Sequence, residues 1–471
     1  MKLRKASILG SIILTFSVMA ACAPAPESRL TQASNTTSTA SASRTSTVQP
    51  RATKSPALHS EDAPTDVKPP CPPQSGQLLS EIDALESQVA QLRGRQPSAP
   101  VEITYLSDSQ ARERINAAFV QQYSLNDAEN NQLLYNLLGL LDDEDDLIGL
   151  YKDLLLEQVA GYFDFAENEM VEICSDEFGG VQRMTYVHEF SYALLHQAFD
   201  LERFQELEDV FCAETYDSCL ALRALVEGDA ARIQEQWMRT YASEEDYKEV
   251  LAFFSSFDMP VYESAPEFIQ EELIFPSTYG LGFISRFYLK DGWAAVDVVY
   301  EDPPVSSEQI LHPERYPKDR PVSIEIPDIS EVLSDEWQEI DRGLLGEWRT
   351  LAVLGQQLPM DIVDVAAEGW GGDYYLLLMN EKSESSALIL LTLWDTMRDA
   401  HEFAASFIEF GIQQYGTPTE QSISEATWEL DDDQAVAFIR VSNQTLWVVA
   451  PDSASLELLM EGIPFPARWS K

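Results

Sequence analysis

Thr185-Tyr-Val-His-Glu-Phe-Ser-Tyr-Ala-Leu-Leu-His-Gln197 is the stretch on which the fold turns. It follows Gly179-Gly180 and reads as the body of a helix from about Val181 to Leu201, with a second helix from about Leu220 to Ala242 after it. Just upstream, residues 162–174 read Tyr-Phe-Asp-Phe-Ala-Glu-Asn-Glu-Met-Val-Glu-Ile-Cys. Two β-prone stretches flank a polar turn at Ala166 to Glu169, which predicts a hairpin.

Farther toward the N-terminus the spacing is helical. Ile82, Leu85, Val89 and Leu92 alternate steps of three and four, so residues 78–93 read as a short amphipathic helix. Ser107 with Gln110 suggests a capping box that opens a helix through Phe119. Leu147, Leu150, Tyr151, Leu154, Leu155 and Val159 form an apolar stripe on a helix that should end at Gly161. The acidic run Asp142 to Asp146 invites a calcium-loop reading, but the required Gly and the closing Glu are missing. It reads as a solvated helix start, where carboxylates favour the helix dipole.

From about Gly369 the pattern changes to dense β signals at Tyr374 to Met379, Ala387 to Trp394, Ala435 to Val441 and Thr445 to Ala450. Helical segments sit at 398–413 and 453–462, and Asp431-Asp432-Asp433 reads as a hairpin turn. These features predict a small α+β domain at 360–471, with two helices covering one face of an antiparallel sheet. The whole chain is mixed α+β: a mainly helical domain with a hairpin over 78–350, then the sheet domain.

Within the opening stretch, His188-Glu189-Phe190-Ser191-Tyr192 is one residue from His-Glu-x-x-His. In that pattern two imidazoles at i and i+4 project from one helix face toward a zinc ion, and the Glu beside the first His polarises the bound water as general base. Here the i+4 position is Tyr192. Other segments add specificity: Glu157-Gln-Val-Ala-Gly-Tyr-Phe-Asp164, Ala224-Leu-Val-Glu-Gly-Asp-Ala230, Ser306-Ser-Glu-Gln-Ile-Leu-His-Pro-Glu-Arg-Tyr316, Gly369-Trp-Gly-Gly-Asp373 and Trp394-Asp-Thr396.

Together these resemble a family of often exported bacterial proteins of the gluzincin type, zinc peptidases whose third ligand is a glutamate on a following helix. The resemblance runs from roughly residue 80 to the C-terminus. It implies that His188 is the first zinc ligand, Glu189 the general base and Glu227 the third ligand, with the 162–174 hairpin as a strand pair whose edge aligns a peptide. Glu308 and His312 match a family motif that carries no assigned role.

The departure at Tyr192 bears on activity, because zinc catalysis needs three protein ligands and one open position for water. A phenol must lose its proton to bind zinc well. His196, at i+8, lies about 12 Å farther along the axis and cannot simply substitute. On the alternative reading Tyr192 is a core aromatic and His188 a satisfied polar group on a packed helix. His312, followed by Pro313, reads as a loop histidine. Neither a phosphate-binding Gly-rich loop nor a serine nucleophile elbow occurs.

The N-terminus carries a separate message. Lys2, Arg4 and Lys5 precede an apolar stretch from Ala6 to Ala21, the layout of a signal peptide over residues 1–21 and too short for a bilayer span of about 20 apolar residues. Met19-Ala20-Ala21-Cys22 resembles the lipobox of bacterial lipoproteins, which implies acylation of Cys22 and an extracytoplasmic location. Residues 22–76, mostly Ser, Thr, Ala and Pro, cannot bury enough surface to fold and read as a tether. With Lys and Arg at 31 against Asp and Glu at 79, the net charge of −48 makes nucleic acid an unfavourable partner. Of the remaining cysteines, Cys71, Cys174, Cys212 and Cys219, three pairings exist in an oxidising compartment; the short separation of Cys212 and Cys219 makes theirs the simplest.

The expectation is an envelope lipoprotein whose peptidase-like domain has lost zinc catalysis and binds or scaffolds a peptide or envelope protein. The alternatives are a working zinc peptidase with a modified site and a passive surface module.

Overall fold

In this computed structural model, the structure describes residues 75–471 apart from 123–124, 143–144, 158–160, 166, 176–177, 202–215, 325, 327–328, 330–332, 334–335, 431–432, 464 and 467–471. The expected signal peptide, Cys22, Cys71 and Cys212 lie outside the described residues. The fold is α+β.

The first helix, α1 (Gly76–Arg93), starts where the Ser75 side chain accepts from Leu78 N at 3.2 Å and stops at Gly94, whose φ of 71° suits a residue without Cβ. It lays Ile82, Leu85 and Val89 into a core shared with Val187, Phe190 and Tyr192. After β1 (Glu102–Leu106) comes α2 (Asp108–Gln122), opened by the expected capping box: Gln110 N donates to Ser107 Oγ at 3.3 Å and Ser107 N to Gln110 Oε1 at 3.0 Å. Then follow α3 (Leu125–Leu137) and α4 (Leu147–Glu157). Asp145 and Asp146 are exposed ahead of α4, and Asp146 Oδ1 caps Gly149 N at 2.9 Å, as a solvated helix start requires.

The hairpin forms from β2 (Gly161–Asp164) and β3 (Glu169–Ile173), turning through Asn168 at a left-handed φ of 52°. Gly161 thus begins a strand rather than merely stopping a helix. β1 adds to the far side of β3 in parallel, giving a three-stranded sheet of order β1-β3-β2.

Helices α5 (Gly180–Phe199) and α6 (Tyr216–Thr240) pack side by side next to this sheet. There follow α7 (Glu244–Ser256), α8 (Pro260–Ser264), α9 (Glu267–Asp291), α10 (Trp293–Val299) and α11 (Ser307–Leu311). The crossing of α6 and α9 is very close: a Cβ on Gly228 would sit 2.1 Å from Gly280 O, and one on Gly280 2.1 Å from Ala224 O.

The second sheet has β4 (Trp337–Gly343), β5 (Trp370–Asn380), β6 (Ser385–Trp394), β7 (Glu420–Gln421), β8 (Glu425–Glu429), β9 (Ala435–Val441) and β10 (Gln444–Ala450). Their order is β4-β5-β6-β10-β9-β8-β7, antiparallel throughout. Helices α12 (Gly346–Gly355), α13 (Met360–Ala367), α14 (Met397–Tyr415) and α15 (Ser453–Gly462) complete the region. The sheet begins with β4, ahead of the boundary at residue 360 expected from the sequence.

The expectation that two helices cover one face needs correction, since α14 and α15 lie on opposite faces. Leu388, Leu390, Trp447 and Val449 join the core that holds Phe403 and Phe407 of α14. Ile389, Leu391, Leu446 and Val448 join the one that holds Leu456 and Leu459 of α15 with Ile324 and Ile326. Strands buried on both sides have no polar face to show, which is why β6 reads as an almost unbroken apolar run. Among the described residues no helix is long and apolar enough to cross a membrane.

Candidate functional site

The i, i+4 spacing on α5 sets His188 and Tyr192 on one face, and α6 brings Glu227 and Gln234 against them. All four are buried, as is Glu189. His188 Nδ1 lies 2.8 Å from Gln234 Oε1, and Nε2 lies 3.1 Å from the Tyr192 hydroxyl and 3.5 Å from Glu227 Oε1. The Tyr192 hydroxyl donates to Glu227 Oε2. The residues singled out as zinc ligands therefore do converge, and the phenol oxygen stands between them.

Burial dominates the electrostatics of the cluster. Burial pulls the His188 imidazole down to about 4 against the opposing bond from Gln234, so it is neutral at pH 7. Burial, with the Glu227 carboxylate nearby, lifts the Tyr192 phenol well above its ordinary range and keeps it protonated. A protonated phenol is a poor zinc ligand, and His196 does not reach the cluster to replace it. Its ring instead packs 5.7 Å from Phe163 and 5.9 Å from Phe165. The residues in this arrangement do not fit a catalytic zinc, which needs a third ligand and an open coordination position.

Glu189 points elsewhere. Its Oε2 accepts from the backbone N–H of Phe163 on β2 at 2.9 Å. Burial raises it well above the usual carboxylate range, Glu172 and Glu227 add to the rise, and the Phe163 bond only partly opposes. The residue matching a general base is thus tied to the strand expected to align a peptide. All four residues of β2 are buried.

The neighbouring motif residues have structural work. Asp229 receives Arg93 through Nε and Nη2, each at 2.9 Å, and the Tyr300 hydroxyl at 3.1 Å. Glu157 caps α8 by accepting from Val261 N at 2.8 Å and Tyr262 N at 2.9 Å. Asp164 pairs with Arg114 at 2.6 Å. His312 is a loop histidine at the end of α11, bonded through Nε2 to Glu347 at 2.9 Å. Cys174 and Cys219 are both disulfide-bonded.

Three of the other motifs meet at a second place. Glu308 on α11, Asp319 in the turn after it and Asp395 after β6 offer carboxylate oxygens all within 4.8 Å of one another, and this is the group of three acidic, His or Cys side chains among the described residues that could hold a metal. Arg315 lies beside it, 2.9 Å from Glu308 Oε1 and 3.9 Å from Asp395 Oδ2. Burial and then the negative neighbours Glu347, Asp319 and Asp395 push Glu308 up to about 9. Burial and Asp319 push Asp395 up to about 6. The sequence singled out Glu308, and Asp395 only within the 394–396 segment, without joining them, and Asp319 went unnoticed because a lone Asp in a turn carries no spacing signal.

Residues 332–460 match the model of a family described as a domain of unknown function, DUF8575, a span that takes in β4 to β10 and most of α15. Comparison with curated proteins and with solved structures gives no match.

Proposed function

We propose that this chain is a lipid-anchored, extracytoplasmic protein whose metallopeptidase-like domain has given up zinc catalysis and serves to bind or scaffold a peptide or cell-envelope protein. The observation that carries the reading is the Tyr192 hydroxyl set between His188 Nε2 and Glu227. It supplies a hydrogen bond where a peptidase would keep a metal, and burial leaves the cluster closed to water and substrate. The anchor rests on the Met19-Ala20-Ala21-Cys22 segment and its basic, apolar leader.

Metal content per chain tests the catalytic half of the reading. Wild type is expected to carry no stoichiometric zinc at this cluster, and Tyr192→His to gain about one, because the second imidazole would return to the i+4 position. Zinc at one per chain in wild type, lost on Glu227→Ala and accompanied by chelator-sensitive peptide cleavage, would overturn the reading in favour of a working peptidase. Mass spectrometry of the exported chain for a diacylated N-terminal Cys22 tests the anchor.

A further inference from the structure

We propose that Glu308, Asp319 and Asp395 form a binding site for one hard divalent cation, calcium in the first instance, that ties the helical region to the C-terminal sheet. The three side chains come from separate parts of the chain. Glu308 lies on α11 and Asp319 in the turn that follows, while Asp395 directly follows β6 of the sheet, yet their oxygens fall within 4.8 Å of one another. Oxygen donors alone, without thiol or imidazole, suit calcium, magnesium or manganese rather than zinc.

An acidic cluster by itself says little, but Glu308 adds an independent observation. Its side chain is 1% exposed. One oxygen takes Arg315, and Oε2 has no hydrogen-bond partner among the described residues. A buried carboxylate oxygen without a donor costs free energy that a cation beside it would return. The local charge is also unbalanced. Glu308, Asp319 and Asp395 share one guanidinium, Arg315, which also pairs with Glu368 at 3.0 Å, so negative charge is in excess when all are ionised and a divalent ion would offset it.

The surroundings hold the three groups in place. Asp319 N donates to Arg315 O at 3.2 Å, and the Asp319 carbonyl accepts from Gln309, next to Glu308 on the same helix. Asp395 N donates to Gly369 O at 2.8 Å. Gly371 leaves room beside the Asp395 carboxylate, since a Cβ there would lie 3.1 Å from Oδ1. The segments 306–316, 369–373 and 394–396, which had no joint role in the sequence, thus converge on one spot.

The test is calorimetric titration of the chelator-treated full chain with calcium chloride, then magnesium and manganese chlorides, with the melting temperature followed in parallel. One calcium per chain and a rise in melting temperature are expected, because the ion binds the folded state only. Asp319→Asn and Asp395→Asn, both at partly exposed positions, should weaken binding at least ten-fold, while Glu425→Gln on distant β8 should leave it unchanged. Absence of binding by wild type at millimolar concentrations of all three ions would overturn the proposal. So would binding that both Asn variants retain, or a preference for zinc over calcium.

Discussion

Glu227, Gly228 and Asp229 are adjacent in sequence yet serve three different ends, because a helix turns by about 100° per residue. Glu227 meets Tyr192 and His188, Gly228 meets α9, and Asp229 meets Arg93. Two of these contacts make predictions. Gly228→Ala puts a methyl 2.1 Å from a backbone oxygen that cannot rotate away, so α6 and α9 must separate. The expected loss is at least about 3 kcal/mol, measured by urea unfolding, toward the upper end of overpacking costs. Tyr192→Phe keeps the ring and removes only the hydroxyl that joins His188 to Glu227. Leaving those buried groups without it should cost roughly 1–3 kcal/mol. A Phe variant as stable as wild type would show that the hydroxyl does not hold the network together.

Among the elements, β3 carries a charge problem that makes stability pH-dependent. Glu172 is buried, its Oε1 lacks a partner among the described residues, and burial raises it from 4.5 to about 8. Between those values the folded state holds a proton that the unfolded chain has released, so this residue's contribution is full below pH 4.5 and is lost as pH rises through 8. Glu172→Gln mimics the protonated form. The variant should match wild type near pH 5 and exceed it at pH 9, by up to about 5 kcal/mol, with chemical denaturation at the two pH values as the check. Equal stability differences at both would show that Glu172 does not titrate as described. The sequence revealed those elements whose cause is local. Ser107 and Gln110 announced α2, Ala166 to Glu169 the hairpin turn, and the dense β-prone runs at 435–441 and 445–450 the β9–β10 pair. It hid elements whose cause is distant: β1 has only five residues and gains its place by pairing with β3, far along the chain. The second covered face of the large sheet was hidden likewise, because Ile324 and Ile326 come from an irregular segment with no period to read. In the candidate site the helix spacing placed His188 and Tyr192 together and the motif supplied Glu227, whereas Gln234 and the turning of Glu189 toward β2 depend on packing that no local pattern encodes.

For the molecule as a whole, the sequence suggested two domains, but one hydrophobic core runs through both. Leu134 and Leu220, Phe268 and Phe283 of the helical region share a single cluster with Trp348, Leu388, Trp394, Phe407 and Phe438 of the C-terminal region. Polar bonds cross the same boundary: Asn130 Nδ2 donates to Ile340 O at 2.9 Å and Trp348 N to Ser307 Oγ at 3.0 Å. A shared core means that the surface exposed by unfolding one region destabilises the other, so the described part should unfold as one unit despite its size. Phe407 tests this. Its ring stacks 4.3 Å from Phe438 and meets Trp447 at 4.9 Å, both on the sheet. Phe407→Ala should cost about 3–5 kcal/mol through the cavity it leaves. With one cooperative unit, that loss shifts the tryptophan fluorescence transition and the far-ultraviolet helix transition to the same lower denaturant concentration. If only the fluorescence transition moves and the helix signal unfolds later at its wild-type midpoint, the two regions fold independently and the common core is a docking surface between them.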